Sequence, residues 1–383
     1  MTDNENLCAK CSLAPICLPE ESRLAAAVED TDDDGGAVAK PRRLFPKHDA
    51  RRTLHVVDRG ALVKRSGLQF VVRTAGEERK YPGMDVGAVI LHGSAQITSQ
   101  AVHFAAANDI AVHWVSGGGA YVGGVAPPAG VQRRLRQYQA LQDSDLRVRL
   151  ARRVAEAKIE NQKRFIARQS RVRSVRDEAK PLLKVMSVQA AQVPHCSDAD
   201  ALRGCEGIAA RAYFSALGLL LNSDQEHMAF DGRSRRPPRD GFNAALSFGY
   251  GLLYREVMAA IIAVGLDSTL GFFHTPRTAA HPLALDLMEL FRTTLWDMPL
   301  VASVNRRQWS EQHLAPSRNQ VWLSDDGKRL AVGVFEQRKQ ESWKHPVLSY
   351  SLSYARAIEL EARLLEKEWS GEVGLFARMR LRG

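Results

Sequence analysis

Short apolar runs separated by turn residues mark the first third of the chain. Residues 54–57 and 61–64 are two such runs, and the turn sequence Asp58-Arg59-Gly60 lies between them. Similar runs predict further strands, and one stretch among them has helical spacing. These strands cover residues 70–73, 86–91 and 111–115, and the helix covers residues 100–108. The pattern predicts a small sheet or sandwich over residues 41–127.

Beyond Pro127-Pro128 the apolar residues recur at helical spacing. Residues 131–174 contain no glycine or proline and are rich in Arg, Gln, Ala and Leu. Further helices are predicted over residues 206–221, 243–264, 282–295 and 348–369, with a short hairpin over residues 321–334. The predicted fold class is α+β. A small N-terminal β-sheet or sandwich domain precedes a mostly α-helical domain over residues 128–383.

Length and composition are those of a globular protein. The chain has 383 residues, 45% hydrophobic and 25% charged, which suits two or three domains and excludes disordered, collagen-like and coiled-coil classes. Charged residues or glycines interrupt every apolar run before it reaches the ~20 residues that a membrane helix needs. The acidic residues 1–5 are not followed by the apolar segment of a signal peptide. We expect a cytoplasmic protein with no membrane partner.

Charge divides the chain into an acidic leader and a basic body. Residues 1–39 carry nine acids against Lys10 and Arg23, a net charge of −7, so the remainder carries +17 of the total of +10. A basic body favours a polyanionic partner, most often nucleic acid, over the alternative of an inert basic surface. The leader, residues 1–40, ends in an acidic, glycine-containing stretch typical of a flexible linker. We therefore expect the leader not to pack into the body.

Three of the five cysteines cluster in the leader. Cys8, Cys11 and Cys17 form a C-x2-C-x5-C pattern, whereas Cys196 and Cys205 stand alone. Closely spaced thiolates in a cytoplasmic protein indicate metal or iron–sulfur ligation, but a cubane cluster takes four cysteines. The segment is either a cluster completed from elsewhere or a remnant of one.

Two acids and a histidine form a candidate metal site. Asp286 and Glu289 are three residues apart, so both lie on one face of a largely apolar predicted helix. Buried carboxylates require a cation, which is either a metal or an arginine. His274 ends an apolar run twelve residues earlier, and a histidine with carboxylates suits Mn²⁺ or Mg²⁺. The alternative is a core histidine with a structural acid pair.

A third acid, Glu206, opens an apolar helix between Gly204 and Gly207. Glycines there allow either close helix packing or the approach of a ligand. The alternative is ordinary acidic charge at a helix N-terminus.

Basic residues cluster in two further segments. Residues 133–176 carry fourteen Arg or Lys residues against four acids, and residues 233–239 hold four arginines in a proline-containing loop. Regular spacing on one helix face fits phosphate contacts without base readout. The candidate DNA contacts are Lys163, Arg164, Arg168, Arg235, Arg236 and, after His274, Arg277. For any single arginine, a solvated helix face is the alternative.

The order of these motifs resembles that of the CRISPR-associated integrase family (Cas one), the nuclease of spacer acquisition. The resemblance runs from about residue 54 to residue 380. It rests on six segments: Lys158-Ile159-x-Asn161-Gln162, the glycine-flanked Glu206, Arg235-Arg236-Pro237-Pro238 with Asn243 and Tyr250, Gly271-Phe272-Phe273-His274, Asp286-Leu287-Met288-Glu289-x-Phe291-Arg292, and Leu323-Ser324-x-x-Gly327.

The resemblance implies both an activity and an assembly. In this family a Glu, a His and a second acid hold a divalent metal, and these positions match Glu206, His274 and Glu289, with Asp286 as the accompanying acid. The family acts as a homodimer with a small partner (Cas two). That complex joins the 3′-hydroxyl ends of double-stranded prespacer DNA to CRISPR leader–repeat DNA by transesterification. The family pairs its subunits through the N-terminal β-domain.

The cysteine segment resembles a different family. Cys8, Cys11 and Cys17 resemble the last three ligands of the CRISPR iron–sulfur exonuclease (Cas four), which is naturally fused to the integrase in some proteins. The chain is therefore similar to the integrase part of such a fusion, and a 4Fe-4S cluster would need a fourth ligand from a fused or partner region. Two other functions remain open: a non-specific metal-dependent nuclease and a non-catalytic DNA-binding subunit.

Overall fold

The structure is a computed structural model. It describes residues 18, 21, 51–117, 121–125, 131–172, 174–222, 224–234, 237–274, 281–345, 348, 350–371 and 374–378.

Twelve strands are present among these residues, eight of them before residue 126. They are β1 (Arg52–Val56), β2 (Leu62–Ser66), β3 (Gln69–Arg73), β4 (Glu78–Pro82), β5 (Val86–His92), β6 (Gln96–Ile97), β7 (Ala111–Val115), β8 (Tyr121–Val125), β9 (Leu314–Ser317), β10 (Gln320–Leu323), β11 (Ser342–Lys344) and β12 (Ser351–Ser353).

The N-terminal strands form two four-stranded sheets. One sheet has the order β1-β5-β7-β8, with β1, β5 and β7 parallel and β8 antiparallel to β7. The other has the order β4-β3-β2-β6 and is antiparallel apart from the β2–β6 pair. Apolar side chains of both sheets share one core with the helix over Ser99–Ala107; Phe70 and Phe104 meet there edge to face. All five predicted strands and the predicted helix are present.

Ten α-helices are described, nine of them after residue 130. They are α1 (Ser99–Ala107), α2 (Val131–Ala140), α3 (Ser144–Val172), α4 (Arg176–Gln192), α5 (Ala199–Gly218), α6 (Gly241–Val264), α7 (Pro282–Met288), α8 (Met298–Asn305), α9 (Asp325–Gln340) and α10 (Tyr354–Trp369). A π-helical turn, Arg292–Asp297, joins α7 to α8. The predicted α+β class, with its helical C-terminal part, is confirmed.

Capping side chains set several helix starts. Asp198 and Asp240 each accept a hydrogen bond from a backbone N–H in the first turn, at the beginning of α5 and α6. Ser324 does the same for α9. The predicted hairpin over residues 321–334 is therefore wrong in position: β9 and β10 form the hairpin, and Asp326-Gly327 lies in the first turn of α9. A Cβ on Gly327 would lie 2.0 Å from the His313 carbonyl oxygen, so close packing explains this glycine.

Helix α6 is the central helix of the second core. Its most apolar window is long and apolar enough to cross a membrane by length and composition, and 50% of that window is buried. Glycines and the charged pair Arg255 and Glu256 nevertheless interrupt the helix, as the sequence predicted. It packs against α7, α9 and α10, as the core helix of a globular protein does.

Two described residues of the leader belong to the helical body. Leu18 is 1% exposed and lies within the core cluster of the helices. The Tyr350 hydroxyl donates to Glu21 Oε1 at 2.6 Å. The expectation that the leader does not pack into the body is therefore wrong for these two positions, because apolar burial and a buried hydrogen bond hold them there.

Candidate active site

Three parts of the helical body carry the predicted metal ligands, and Lys158 connects two of them. Glu206 lies on α5, His274 lies in the segment between α6 and α7, and Glu289 caps the C-terminal end of α7. Lys158, on α3, lies between the two glutamates. Its ammonium is 2.5 Å from Glu206 Oε1 and 2.7 Å from Glu289 Oε2.

Asp286 fixes the orientation of His274. Its carboxylate accepts backbone N–H groups from Phe272, Phe273 and His274 at 2.8–3.1 Å. The same carboxylate lies 2.7 Å from His274 Nδ1. An ionised carboxylate only accepts, so the proton of the neutral imidazole lies on Nδ1 and the Nε2 lone pair is free. Nε2 faces Glu289 Oε1 at 3.8 Å.

Gly271 makes this arrangement possible. A Cβ at this position would lie 2.6 Å from the Pro282 ring and 2.8 Å from Asp286 Oδ2. Only glycine lets the segment before His274 wrap this closely around the carboxylate.

Cations surround Glu289 on two sides. Burial alone would raise the pKa of Glu289, but Arg292, Lys158 and His274 together hold it below its ordinary value. Arg292 Nη2 lies 3.1 Å from Glu289 Oε1. Glu289 is therefore an ionised carboxylate whose side chain is only 2% exposed to solvent.

The donor set fits a divalent cation. Among the described residues, the site holds the three carboxylates of Glu206, Asp286 and Glu289 and the two cations Lys158 and Arg292, which leaves one net negative charge when the imidazole is neutral. A histidine held by a carboxylate at Nδ1 and presenting Nε2 is the usual arrangement of a metal-ligating imidazole. Two glutamate oxygens and one imidazole nitrogen suit Mn²⁺ or Mg²⁺.

The face around Glu206 is open. Among the described residues outside the helix's own nearby backbone, no atom lies within 4 Å of the position that a Cβ would take on Gly204 or Gly207, and Ile208 is 45% exposed. These glycines therefore do not serve helix packing. They leave space beside Glu206 for a large ligand.

A second carboxylate cluster lies between the first sheet and the helices. His55, Glu256 and Glu336 place one ligand atom each within 4.8 Å of one another. Lys339 Nζ is 3.1 Å from Glu256 Oε1 and 2.8 Å from Glu336 Oε1. The buried Arg255 adds a second positive charge that acts on both acids, so the two cations balance the two carboxylates. This cluster is an ion-pair network that links β1 to α6 and α9.

Behind the active site lies a buried acid with two tyrosines. Tyr213 and Tyr250 donate to the two oxygens of Asp297 at 2.6 and 2.8 Å. Burial raises the pKa of Asp297 to about 6, against the opposing effect of these hydrogen bonds. The Arg292 guanidinium lies 4.7 Å from the Tyr250 ring centroid. Tyr250 thus supports Arg292 by packing, and Asp297 holds the Tyr250 ring in place.

The predicted DNA contacts are described in part. Lys163, Arg164 and Arg168 lie on α3, one to three turns beyond Lys158, and Arg168 is exposed. Lys163 and Arg164 both pair with Glu160. Arg235, Arg236 and Arg277 lie outside the described residues, as do Cys8, Cys11 and Cys17.

The sequence pattern assigned no role to Lys158 or Arg292. Both contact Glu289, and Lys158 also contacts Glu206. The spacing of Arg292, three residues after Glu289, was the available signal, because such pairs meet on a helix surface. No local signal distinguishes Lys158 from the other cations of its basic helix.

Replacing Lys158 with Met is expected to destabilise the chain without metal. Glu206 and Glu289 would lose their shared cation, at a cost of about 3 kcal/mol. Mn²⁺ should then raise the melting temperature of K158M more than that of the unaltered protein, because in the folded variant it no longer competes with the Lys158 ammonium for the two carboxylates. Thermal unfolding with EDTA and with Mn²⁺ measures both effects. The exposed Lys184→Met is the control, and equal Mn²⁺ shifts in both variants would refute the assignment of Lys158.

A model of the family described as CRISPR associated protein Cas1 matches residues 54–337, nearly three quarters of the chain. The chain belongs to the Cas1 family. The matched range includes Lys158 and every residue of the candidate active site, from Glu206 to Arg292.

Curated relatives include two fusion proteins. A CRISPR-associated exonuclease Cas4/endonuclease Cas1 fusion from Leptospira interrogans is 45% identical over all of this chain and 70% of the relative. A fusion of the same name from Myxococcus xanthus is 48% identical over all of this chain and 66% of the relative. The chain thus spans about two thirds of the length of these fusions. A CRISPR-associated endonuclease Cas1 of Thermus thermophilus is 33% identical over 82% of this chain and 92% of the relative.

Solved structures share the fold. A CAS1 protein from Thermotoga maritima, 25% identical, superposes with a TM-score of 0.72 over 84% of this chain and 98% of that one. A casposase bound to its integration product, 20% identical, gives a TM-score of 0.75 over 86% of this chain and 94% of that one. At that identity the second likeness shows the fold alone.

Proposed function

We propose that this chain is a metal-dependent DNA endonuclease and integrase of CRISPR adaptation that joins prespacer 3′-hydroxyl ends to the CRISPR array. The observation that carries the proposal is the imidazole of His274, held at Nδ1 by Asp286, with Nε2 directed at Glu289. This arrangement lies in a chain of the Cas1 family, within the residues that the family model matches.

Glu206, His274 and Glu289 are the residues that would hold Mn²⁺ or Mg²⁺. The bound cation would stabilise negative charge on the reacting phosphate and on the attacking oxygen. Asp286 keeps the imidazole proton on Nδ1, so that the Nε2 lone pair stays available to bind the cation. Arg292 and Lys158 offset the negative charge of the two glutamates before DNA arrives.

The reaction is a phosphodiester exchange. The prespacer 3′ oxygen forms a bond to phosphorus of the array DNA while the bond from that phosphorus to the leaving oxygen breaks. One ester replaces another, so neither ATP nor a covalent enzyme intermediate is required. Arg277 is proposed to contact the reacting phosphate, with Arg235 and Arg236 farther along the DNA.

Helix α3 provides the proposed surface for the DNA backbone. Replacing Arg164 and Arg168 together with Ala is expected to weaken binding of all duplexes alike, because these side chains meet phosphates rather than base edges. The slope of log affinity against log salt should become less steep by about one for each phosphate that the variant no longer neutralises. Fluorescence anisotropy with two unrelated duplexes at several salt concentrations measures both quantities.

The control for this pair is the double variant Arg73→Ala and Arg79→Ala, two exposed arginines of the second sheet. It should keep the original affinity and salt slope. A weakening in the Arg164 and Arg168 variant that is confined to one duplex sequence would show base readout and contradict the proposal.

The exposed residues of the N-terminal sheets, the fusion relatives and the solved structures of this fold suggest the proposed partners. We propose a homodimer paired through the N-terminal sheets, where Leu68, Met84 and Val122 are each at least 70% exposed. A Cas1–Cas2 assembly is the subject of one solved structure of this fold, and the fusion relatives carry a Cas4 portion. We therefore propose the small partner Cas2, and a Cas4 exonuclease that trims prespacer ends and supplies a fourth ligand to Cys8, Cys11 and Cys17.

The test of the function is strand joining. A labelled duplex with 3′-hydroxyl ends is incubated with the full chain, Cas2 and a supercoiled plasmid, with Mn²⁺ or with EDTA. Label joined covalently to the plasmid only with Mn²⁺ supports the proposal. Nicking without joining would assign a non-specific nuclease, and DNA binding without either reaction would assign a non-catalytic subunit.

A further inference from the structure

Two cysteines that are nine residues apart in the sequence touch beside the active site. Cys196 Sγ and Cys205 Sγ lie 3.6 Å apart, and both are free thiols in the structure. Cys196 precedes α5 and is buried, whereas Cys205 lies in the second turn of α5 and is partly exposed. A disulfide needs a sulfur–sulfur distance of about 2.05 Å, so a movement of about 1.5 Å closes the bond.

The surroundings decide which cysteine moves. Arg152 on α3 donates from Nε to the Cys196 carbonyl oxygen at 2.9 Å, and a further bond comes from Nη2. Cys196 Sγ also contacts the Gln192 carbonyl at the end of α4. Cys205 Sγ contacts the side-chain oxygen of Gln192 at 3.8 Å, and no described neighbour lies within 4 Å of a Cβ placed on Gly204. Bond formation therefore draws the turn of Cys205 towards a fixed Cys196.

The residue after Cys205 is Glu206. Its Oε1 lies 2.5 Å from Lys158 Nζ, next to Glu289 and His274. A displacement of about 1 Å in a catalytic group is enough to lower a rate on the order of a hundredfold. This consequence rests on the proposed function, whereas formation of the bond itself does not.

We propose that Cys196 and Cys205 are a reversible oxidation site that inactivates the enzyme by forming a disulfide next to Glu206. A peroxide is the oxidant. The exposed Cys205 thiol reacts with hydrogen peroxide to give a sulfenic acid and one water. The Cys196 sulfur then attacks that sulfur, the disulfide forms and a second water leaves. A dithiol reductant reverses the reaction.

The bond is detected by peptide mapping of the full chain. Trypsin cleaves after Arg203, between the two cysteines, so a disulfide joins the peptide 185–203 to the peptide 204–211. We expect this linked pair after treatment with hydrogen peroxide, and its disappearance after dithiothreitol. Oxidation of the chain without this linked pair would overturn the proposal whatever the activity of the enzyme.

The effect on the site is measured as Mn²⁺-dependent DNA strand joining or nicking. Activity should fall on the order of a hundredfold after peroxide treatment and return with dithiothreitol. Cys205→Ser should have the original activity and resist peroxide. Cys196→Ala should also keep its activity after peroxide treatment. It provides a second test if the Cys205→Ser variant does not fold. A variant with Ser at Cys8, Cys11 and Cys17 should remain sensitive.

Two results would contradict the role in activity. One is a linked peptide pair in a fully active enzyme. The other is equal peroxide sensitivity of the Cys205→Ser variant and the original chain. If the unaltered protein neither joins nor nicks DNA before treatment, the proposed function fails, and the peptide map still decides whether the disulfide forms.

Discussion

Replacing Glu206 with Gln is expected to lower Mn²⁺-dependent strand joining by at least about a hundredfold while leaving the fold intact. Gln has the shape of Glu but lacks the negative charge that a divalent ion requires. Glu206 is only partly buried, and Lys158 keeps Glu289 as its other partner in the variant. The melting temperature in EDTA should therefore change little, whereas the stabilisation by Mn²⁺ should fall.

The matched control is Glu226→Gln, the same substitution at an exposed glutamate outside the site. Initial rates of both variants, with Mn²⁺ varied, separate a lower metal affinity from a lower activity at saturation. If E206Q joined DNA as fast as E226Q at the same Mn²⁺ concentration, Glu206 would not be a metal ligand.

Replacing Lys339 with Met is expected to cost about 3 kcal/mol of the free energy of unfolding. Lys339 is buried and contacts both Glu256 and Glu336, and it also donates to Thr53 of β1 at 3.1 Å. Without it, two mostly buried carboxylates would face each other between the first sheet and the helices. Denaturant unfolding at pH 7 measures the destabilisation, and the exposed Lys180→Met is the control. A K339M stability equal to that of K180M would show that the network contributes nothing.

Three buried histidines near this network make the stability of the unaltered protein depend on pH. Burial lowers the pKa values of His55, His92 and His113, that of His113 to about 4, with Arg255 adding to the effect. The unfolded chain binds protons at these imidazoles near pH 6.5 while the folded chain does not, so stability falls as the pH drops from about 7 to about 4.

Glu336 acts in the same direction at lower pH. Burial raises its pKa, but Lys339 and His55 lower it further, and the folded value lies below the unfolded one. Its contribution is complete above about pH 4.5 and is lost as the pH falls through the folded value. K339M should therefore differ most from the original protein near neutral pH and approach it in acid.

The sequence predicted those features that depend on neighbouring residues. Short apolar runs between turn residues predicted strands of both N-terminal sheets, and the spacing of Asp286 and Glu289 predicted two acids on one helical face. The same spacing did not reveal their different surroundings. Asp286 binds three backbone N–H groups and orients His274, whereas Glu289 faces cations.

Contacts distant in sequence could not be predicted. Lys158 is one of many cations on a basic helix, and its place between two glutamates depends on how α3 crosses α5 and α7. His55 and Glu336 are 281 residues apart and meet only through the packing of the sheet on the helices. Leu18 likewise gives no local sign that it is buried in the helical core.

The central claim is that this metal site joins strands rather than only cutting them. The direct measurement compares duplexes ending in a 3′-hydroxyl and in a 3′-hydrogen, each incubated with the full chain, Cas2, Mn²⁺ and a supercoiled plasmid. We expect label covalently joined to the plasmid from the 3′-hydroxyl duplex alone, and none with the His274→Ala variant. Equal plasmid nicking by both duplexes, with no joined label from either, would contradict the account.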